Sequence, residues 1–114
     1  MWSSEEAAVL AASPSLMLSV GPARREGVEL GMVVMNGDLY VRAFRGRRSA
    51  WFRAALSDPR GHIAASGLDR DVLLSAEPGP AEALDAAYRA KYGANAALVT
   101  GPSAQDATLR VEPA

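Results

Sequence analysis

Cysteine is absent from the sequence and histidine occurs once, at His62. The first absence excludes disulfides and thiolate chemistry, and the second excludes a histidine-rich metal site within one chain. Lysine is also scarce: Lys91 is the single lysine among twelve basic residues, and the others are arginine. GC-rich codon usage produces the same bias, so the arginine total carries no functional weight and only its clustering does. No apolar run approaches the roughly 18 to 20 residues needed to span a bilayer, and the acidic start MWSSEEAAVLAAS lacks the basic region of a signal peptide. These features predict a cytoplasmic protein without a membrane segment. The glycines never fall as GxGxxG or GxxxxGK[ST], and GxSxG is missing, so neither a phosphate loop nor a nucleophile elbow is expected. A formal net charge of -1 gives no overall reason to expect a nucleic-acid partner.

What is present describes one domain over residues 1–114. A hydrophobic fraction of 49% with 22% charged residues suffices for a buried core. Ser3 followed by Glu6 forms a capping-box pattern and predicts a helix over 4–12, stopped at Ser13-Pro14. SLMLSV reads as a buried strand bounded by Pro14 and Gly21-Pro22, and ARREG as a loop. VELGMVVM and DLYVRAF flank Asn36-Gly37-Asp38, the strongest hairpin signal in the chain. SAWFRAALSDP predicts a helix capped by Ser49, with Trp51, Phe52 and Ala55 turned inward. GHIAAS and LDRDVLLSAE read as a second hairpin about Gly67. PAEALDAAYRAKYG is the clearest helix, with Leu84, Ala87, Tyr88 and Lys91 on one face and Gly93 as its cap. NAALVTG and ATLRVEP read as two closing strands. Consecutive strands with inserted helices imply an α+β class, an antiparallel barrel or sheet.

The candidate chemistry lies in YVRAFRGRRSAWFRA, which carries Arg42, Arg45, Arg47, Arg48 and Arg53 with no carboxylate between Asp38 and Asp58. Alternation places Leu39, Val41 and Ala43 on a core face and Tyr40, Arg42 and Phe44 on the other, which is either a ligand wall or a subunit interface. Guanidinium beside aromatic rings suits planar anions, Gly46 lets backbone amides approach, and the helix start at Ser49 adds free N–H groups. Arg47 and Arg48 fit a solvated loop tip. His62 reads as a surface or interface imidazole. Asp69 and Asp71 share a strand face, either as a solvated edge paired with arginines or as an acid/base pair. Tyr88 and Tyr92 read as a packed pair, and Asp85 with Arg89 as a helix-surface ion pair.

The blocks GDLYVRAFRGRRSAWFRAAL, GHIAASGLDRDV, LDAAYRAKYG and TLRVEP, in this order, resemble the bacterial family termed domain of unknown function 2255, itself similar to pyridoxamine-phosphate-oxidase-like split barrels. That resemblance implies a six-stranded antiparallel split β-barrel with short flanking helices, a homodimer, and a flavin (FMN or a deazaflavin) at the subunit interface of an oxidoreductase, without metal. It implies phosphate contacts from Arg42, Arg45 and Arg53, with Trp51 near the isoalloxazine or substrate. Tyr40, Phe44 and Tyr88 are the candidates for substrate contact. The sequence lacks the Ser/Thr-x-Lys phosphate motif of other branches. A second reading keeps the barrel without flavin, as an enzyme or binding protein for an anionic or aromatic small molecule. There Arg42 or Arg53 holds the anion, and Tyr88, Asp69 or Asp71 acts as acid or base. A third reading is an interaction module.

Overall fold

The computed structural model describes residues 1–21 and 27–114; the expected loop ARREG, apart from Gly27, lies outside the described residues. Helix α1 (Ser4–Ala12) begins as its sequence dictates. The Glu6 amide donates to the Ser3 hydroxyl at 3.1 Å and the Ser3 amide donates to Glu6 Oε1 at 3.0 Å, which satisfies two otherwise free donors. Strands β1 (Leu16–Val20), β2 (Val28–Leu30), β3 (Met32–Met35) and β4 (Asp38–Arg42) follow. The β3–β4 turn has Asn36 at φ 54° and Gly37 at φ 82°, the pair of left-handed residues that a type I′ hairpin requires.

After a 3-10 turn at Gly46–Arg48 comes helix α2 (Ala50–Ser57), then the hairpin β5 (Arg60–Ala65) and β6 (Leu68–Ala76). Ser49 is the residue preceding α2, but its side chain makes no capping hydrogen bond. Helix α3 (Ala81–Tyr92) leads into a 3-10 segment, Gly93–Val99, and a short helix α4 (Pro102–Gln105) precedes β7 (Thr108–Pro113). The run NAALVTG, expected as a strand, is therefore a correction: most of it is 3-10 helix. Its apolar residues lack the two-residue period of a strand, and the burial of Ala96 with the partial burial of Val99 three residues on follows a 3-10 turn instead.

The seven strands form one antiparallel sheet in the order β2-β1-β5-β6-β7-β4-β3. Its outermost strands, β2 and β3, are separated in sequence by Gly31 alone. Two opposite edges joined by one residue force the sheet to curl, and the result is a nearly closed, split β-barrel with short helices around it. The count of seven rather than six arises from the interruption at Gly31. Leu16, Leu18, Met32, Leu39, Val41, Ile63, Val72, Leu109 and Val111 fill the interior together with Trp2, Leu10 and Phe52 from outside the strands. The other face of β3 and β4 is covered by α3 and the 3-10 segment, which enclose a second cluster of Val33, Tyr40, Leu84, Tyr88 and Ala96. Among the described residues no helix is long and apolar enough to cross a membrane.

Candidate functional site

Where the barrel splits, a cleft of about 290 Å³ opens between the β2–β3 break, α2 and the Gly93–Val99 segment. Its walls carry Phe44, Trp51, Tyr88 and Tyr92, with Arg42 and Glu29 as charged members and Asn95, Leu98 and Val99 along the 3-10 segment. Gly31 makes this geometry possible: a Cβ there would lie 3.2 Å from the Tyr92 ring, so the ring packs directly over the break. The Tyr92 hydroxyl receives the Met32 amide at 2.9 Å and donates to the Pro14 carbonyl at 2.9 Å, tying α3 to the chain on both sides of the split. Tyr88 and Tyr92 stack with centroids 5.9 Å apart.

Arg42 is almost wholly buried, at 2% exposure. Its Nε donates to Thr108 Oγ1 at 3.1 Å, Nη1 donates to Asp85 and to the Val99 carbonyl at 2.9 Å, and Nη2 donates to the Ala81 carbonyl at 3.1 Å. The guanidinium also lies 5.5 Å from the Tyr88 ring centroid. Asp85 thus serves a buried cation in addition to the expected i,i+4 pair with Arg89, whose Nη2 lies 4.0 Å from Oδ2. Gln105 Nε2 adds a bond to Asp85 at 3.0 Å and the Gly101 amide one at 3.4 Å. One carboxylate and one guanidinium therefore join β4, α3, the 3-10 segment, α4 and β7.

Burial alone raises the Asp85 pKa, but the hydrogen bonds from Arg42 and Gln105, the Arg42 charge and the Gly101 amide outweigh it and hold the carboxyl below its ordinary range. A depressed carboxyl stabilises the fold above its unfolded value and ceases to do so as pH falls through the folded one. The melting temperature should accordingly fall as acid is added below about pH 4. In Asp85→Asn that acid limb should be shallower than in the native chain, as thermal scans between pH 7 and pH 2 would show.

The cleft brings together four of the residues singled out from the sequence: Arg42, Phe44, Trp51 and Tyr88. Tyr40 is buried beneath α3. Arg45 lies 5.5 Å from the Phe44 ring centroid and so sits beside the rim. Arg53 is on the exposed side of α2, in a separate shallow depression with Ala50, Ala54, Leu56 and Ser57. Arg47 pairs with Asp106 at 3.0 Å, and Arg48 is exposed. Tyr92, Asn95, Leu98 and Val99 were not legible as site residues, because the run containing three of them read as a strand. The spacing of Asn95 and Leu98 after the Gly93 cap is the signal that would have found them.

A wider hollow of about 380 Å³ lies elsewhere, at Gly21, Arg60, His62, Asp71 and Leu73. There Asp71 Oδ1 lies 2.9 Å from His62 Nδ1 and Asp69 Oδ1 lies 2.5 Å from Nε2. Asp69 and Asp71 thus face the imidazole. Both ring nitrogens already have carboxylate partners, and among the described residues no Phe, Tyr or Trp lines the hollow, so the cleft at the split is the better binding geometry.

A family model described as "Uncharacterized protein conserved in bacteria (DUF2255)" matches residues 13–111. The chain belongs to this family. Solved structures extend the likeness of this DUF2255 member to the split-barrel fold. It resembles HutZ, the heme storage protein from Vibrio cholerae, at a TM-score of 0.70 and 17% identity, covering 96% of this chain and 88% of that one. A FAD-binding protein from Mesorhizobium loti gives 0.63 at 19% identity over 99% and 91% of the two chains. A NimC/NimA family protein from Clostridium acetobutylicum gives 0.60 at 13% identity over 94% and 77%. These likenesses concern the fold. No curated protein matches the chain.

Proposed function

We propose that this split barrel binds a planar small molecule in the cleft between the β2–β3 break, α2 and the Gly93–Val99 segment. The observation that carries this reading is the convergence of Phe44, Trp51, Tyr88 and Tyr92 on one hollow with Arg42 in its wall. Aromatic faces lining a concave site with a few fixed polar groups provide for a ring.

Two ligand classes follow. The resemblance of the fold to a structure described as FAD-binding supports FMN or a deazaflavin, with the chain as part of a homodimeric oxidoreductase. When bound, such a group supplies the hydride chemistry and the protein orients it. The described residues of one chain fit the ring but not the phosphate: Arg42 already bonds Asp85, Thr108 and two carbonyls, and Arg53 lies in a different depression. Among the described residues, Arg45 beside the Phe44 ring and the exposed Arg48 and Arg53 are cations that a second chain would complete into a clamp. The cofactor-free reading, a binding protein or enzyme for a small aromatic molecule, needs the cleft alone, and the geometry of one chain supports it best. Its volume is at the lower end of ligand pockets, about 300 to 1,000 Å³.

The test is a visible spectrum of the purified chain, followed by titration with FMN and with a two-ring aromatic such as isoquinolin-1-one. Binding of the bicycle without flavin absorbance is expected. Trp51→Ala should weaken it about tenfold through loss of a stacking wall, with the fold retained. Purified protein carrying a flavin band, with tight FMN uptake, would establish the flavin reading instead. Flat titrations with both compounds would remove the cleft as a binding site.

A further inference from the structure

We propose that the Tyr88 hydroxyl is the donor by which the cleft recognises its ligand, and that the ligand is a neutral planar molecule bearing a carbonyl-type oxygen, such as a lactam, amide or quinone. This rests on the reading that the cleft binds a ring. Tyr88 lines the cleft and is fully buried, yet its hydroxyl has no hydrogen-bond partner among the described residues. Buried hydroxyls are rarely left so, because an unmet donor forfeits its bonds to water. The adjacent Tyr92 shows the ordinary outcome, with its hydroxyl bonded on both sides.

Charge selects the ligand class. Arg42 would attract an anion, but Asp85 already neutralises it, and among the described residues the other charged group lining the cleft is Glu29. An anion therefore meets a compensated cation and a carboxylate, whereas a neutral acceptor meets no such opposition. Burial pushes the Tyr88 phenol well above its ordinary pKa, and the nearby Arg42 charge and backbone amide offset only part of that, without a hydrogen bond of normal geometry. The group is thus a proton-bearing donor at neutral pH, matched to an oxygen acceptor. Ala96 of the 3-10 segment belongs to the same buried cluster as Tyr88, Val99 packs against that cluster, and the Tyr88 hydroxyl is shut off from bulk water. Seven residues is long for a 3-10 helix, whose hydrogen bonds have poorer geometry than those of an α-helix, and its Leu98 is 65% exposed. A ligand oxygen reaches the hydroxyl by parting this segment from α3.

The experiment titrates the native chain and Tyr88→Phe with isoquinolin-1-one, 1-naphthoate and naphthalene, following backbone amide shifts by NMR, with melting temperatures alongside. In the native chain the lactam should bind about tenfold tighter than naphthalene or naphthoate. Tyr88→Phe should abolish that preference, leave naphthalene unchanged, and melt no lower than native, since no internal bond is lost. The native comparison stands without the variant. Equal affinity for lactam and naphthalene, tighter binding of naphthoate, or a lower melting temperature with the lactam unaffected would each overturn the proposal while leaving ring binding intact. Failure of every probe to bind the native chain would overturn both.

Discussion

Replacing Arg42 by methionine is expected to lower the melting temperature by on the order of 10 to 20 °C, corresponding to about 3 to 5 kcal/mol for removing one partner of a buried ion pair. The side chain left behind can fill much of the space. What it cannot do is answer Asp85, the Val99 and Ala81 carbonyls and Thr108, all of which Arg42 holds. The buried carboxylate is the larger part of the cost, so Arg42→Met combined with Asp85→Leu should recover much of the loss. Thermal unfolding of the two single variants and the double gives the coupling directly. A drop of only a degree or two in Arg42→Met would mean that the guanidinium is not the internal tie described above.

The second large effect is expected from Phe52→Ala, with a loss of about 3 to 5 kcal/mol in urea unfolding and little change in slope. Phe52 is wholly buried among the interior residues and is the main side chain by which α2 enters the barrel. Its edge meets the Trp51 ring at a centroid distance of 6.2 Å. Truncation therefore loosens the helix that presents Trp51 to the cleft, and ring binding should weaken along with stability. That pattern contrasts with Trp51→Ala, where binding falls and the fold persists.

Local chemistry was legible wherever it acts through the backbone nearby. Ser3 with Glu6 and Asn36 with Gly37 each dictate a conformation within a few residues, and the helix and hairpin appear where those pairs place them. The alternation in β4 was also legible, but what covers its second face was not. Tyr40 and Arg42 share that face, and whether the cover is a ligand, another subunit or the chain itself depends on where α3 docks, some forty residues later. Asp85 has the same history: four residues before Arg89 it looks like a helix-surface partner, and only the docked helix turns it onto Arg42. The Gly93–Val99 segment was misread because four consecutive apolar residues carry no period by which strand and helix can be told apart. The cleft drew on all of these at once, so its residues could be named singly but not assembled.

The position of β7 sets the order in which the protein can be completed. It lies between β6 and β4, with Arg110 opposite both Ser75 and Tyr40, and Trp2 donates to the Val111 carbonyl at 2.8 Å across 109 positions of sequence. A ribosome making this chain has synthesised both hairpins well before the strand that unites them. In that interval β4 and β6 present unpaired edges to other chains. Closure then demands contacts of long sequence separation, which slow folding relative to helical proteins of similar size. A nascent chain halted before Thr108 holds two half-sheets with adhesive margins, and these make late truncations prone to aggregate.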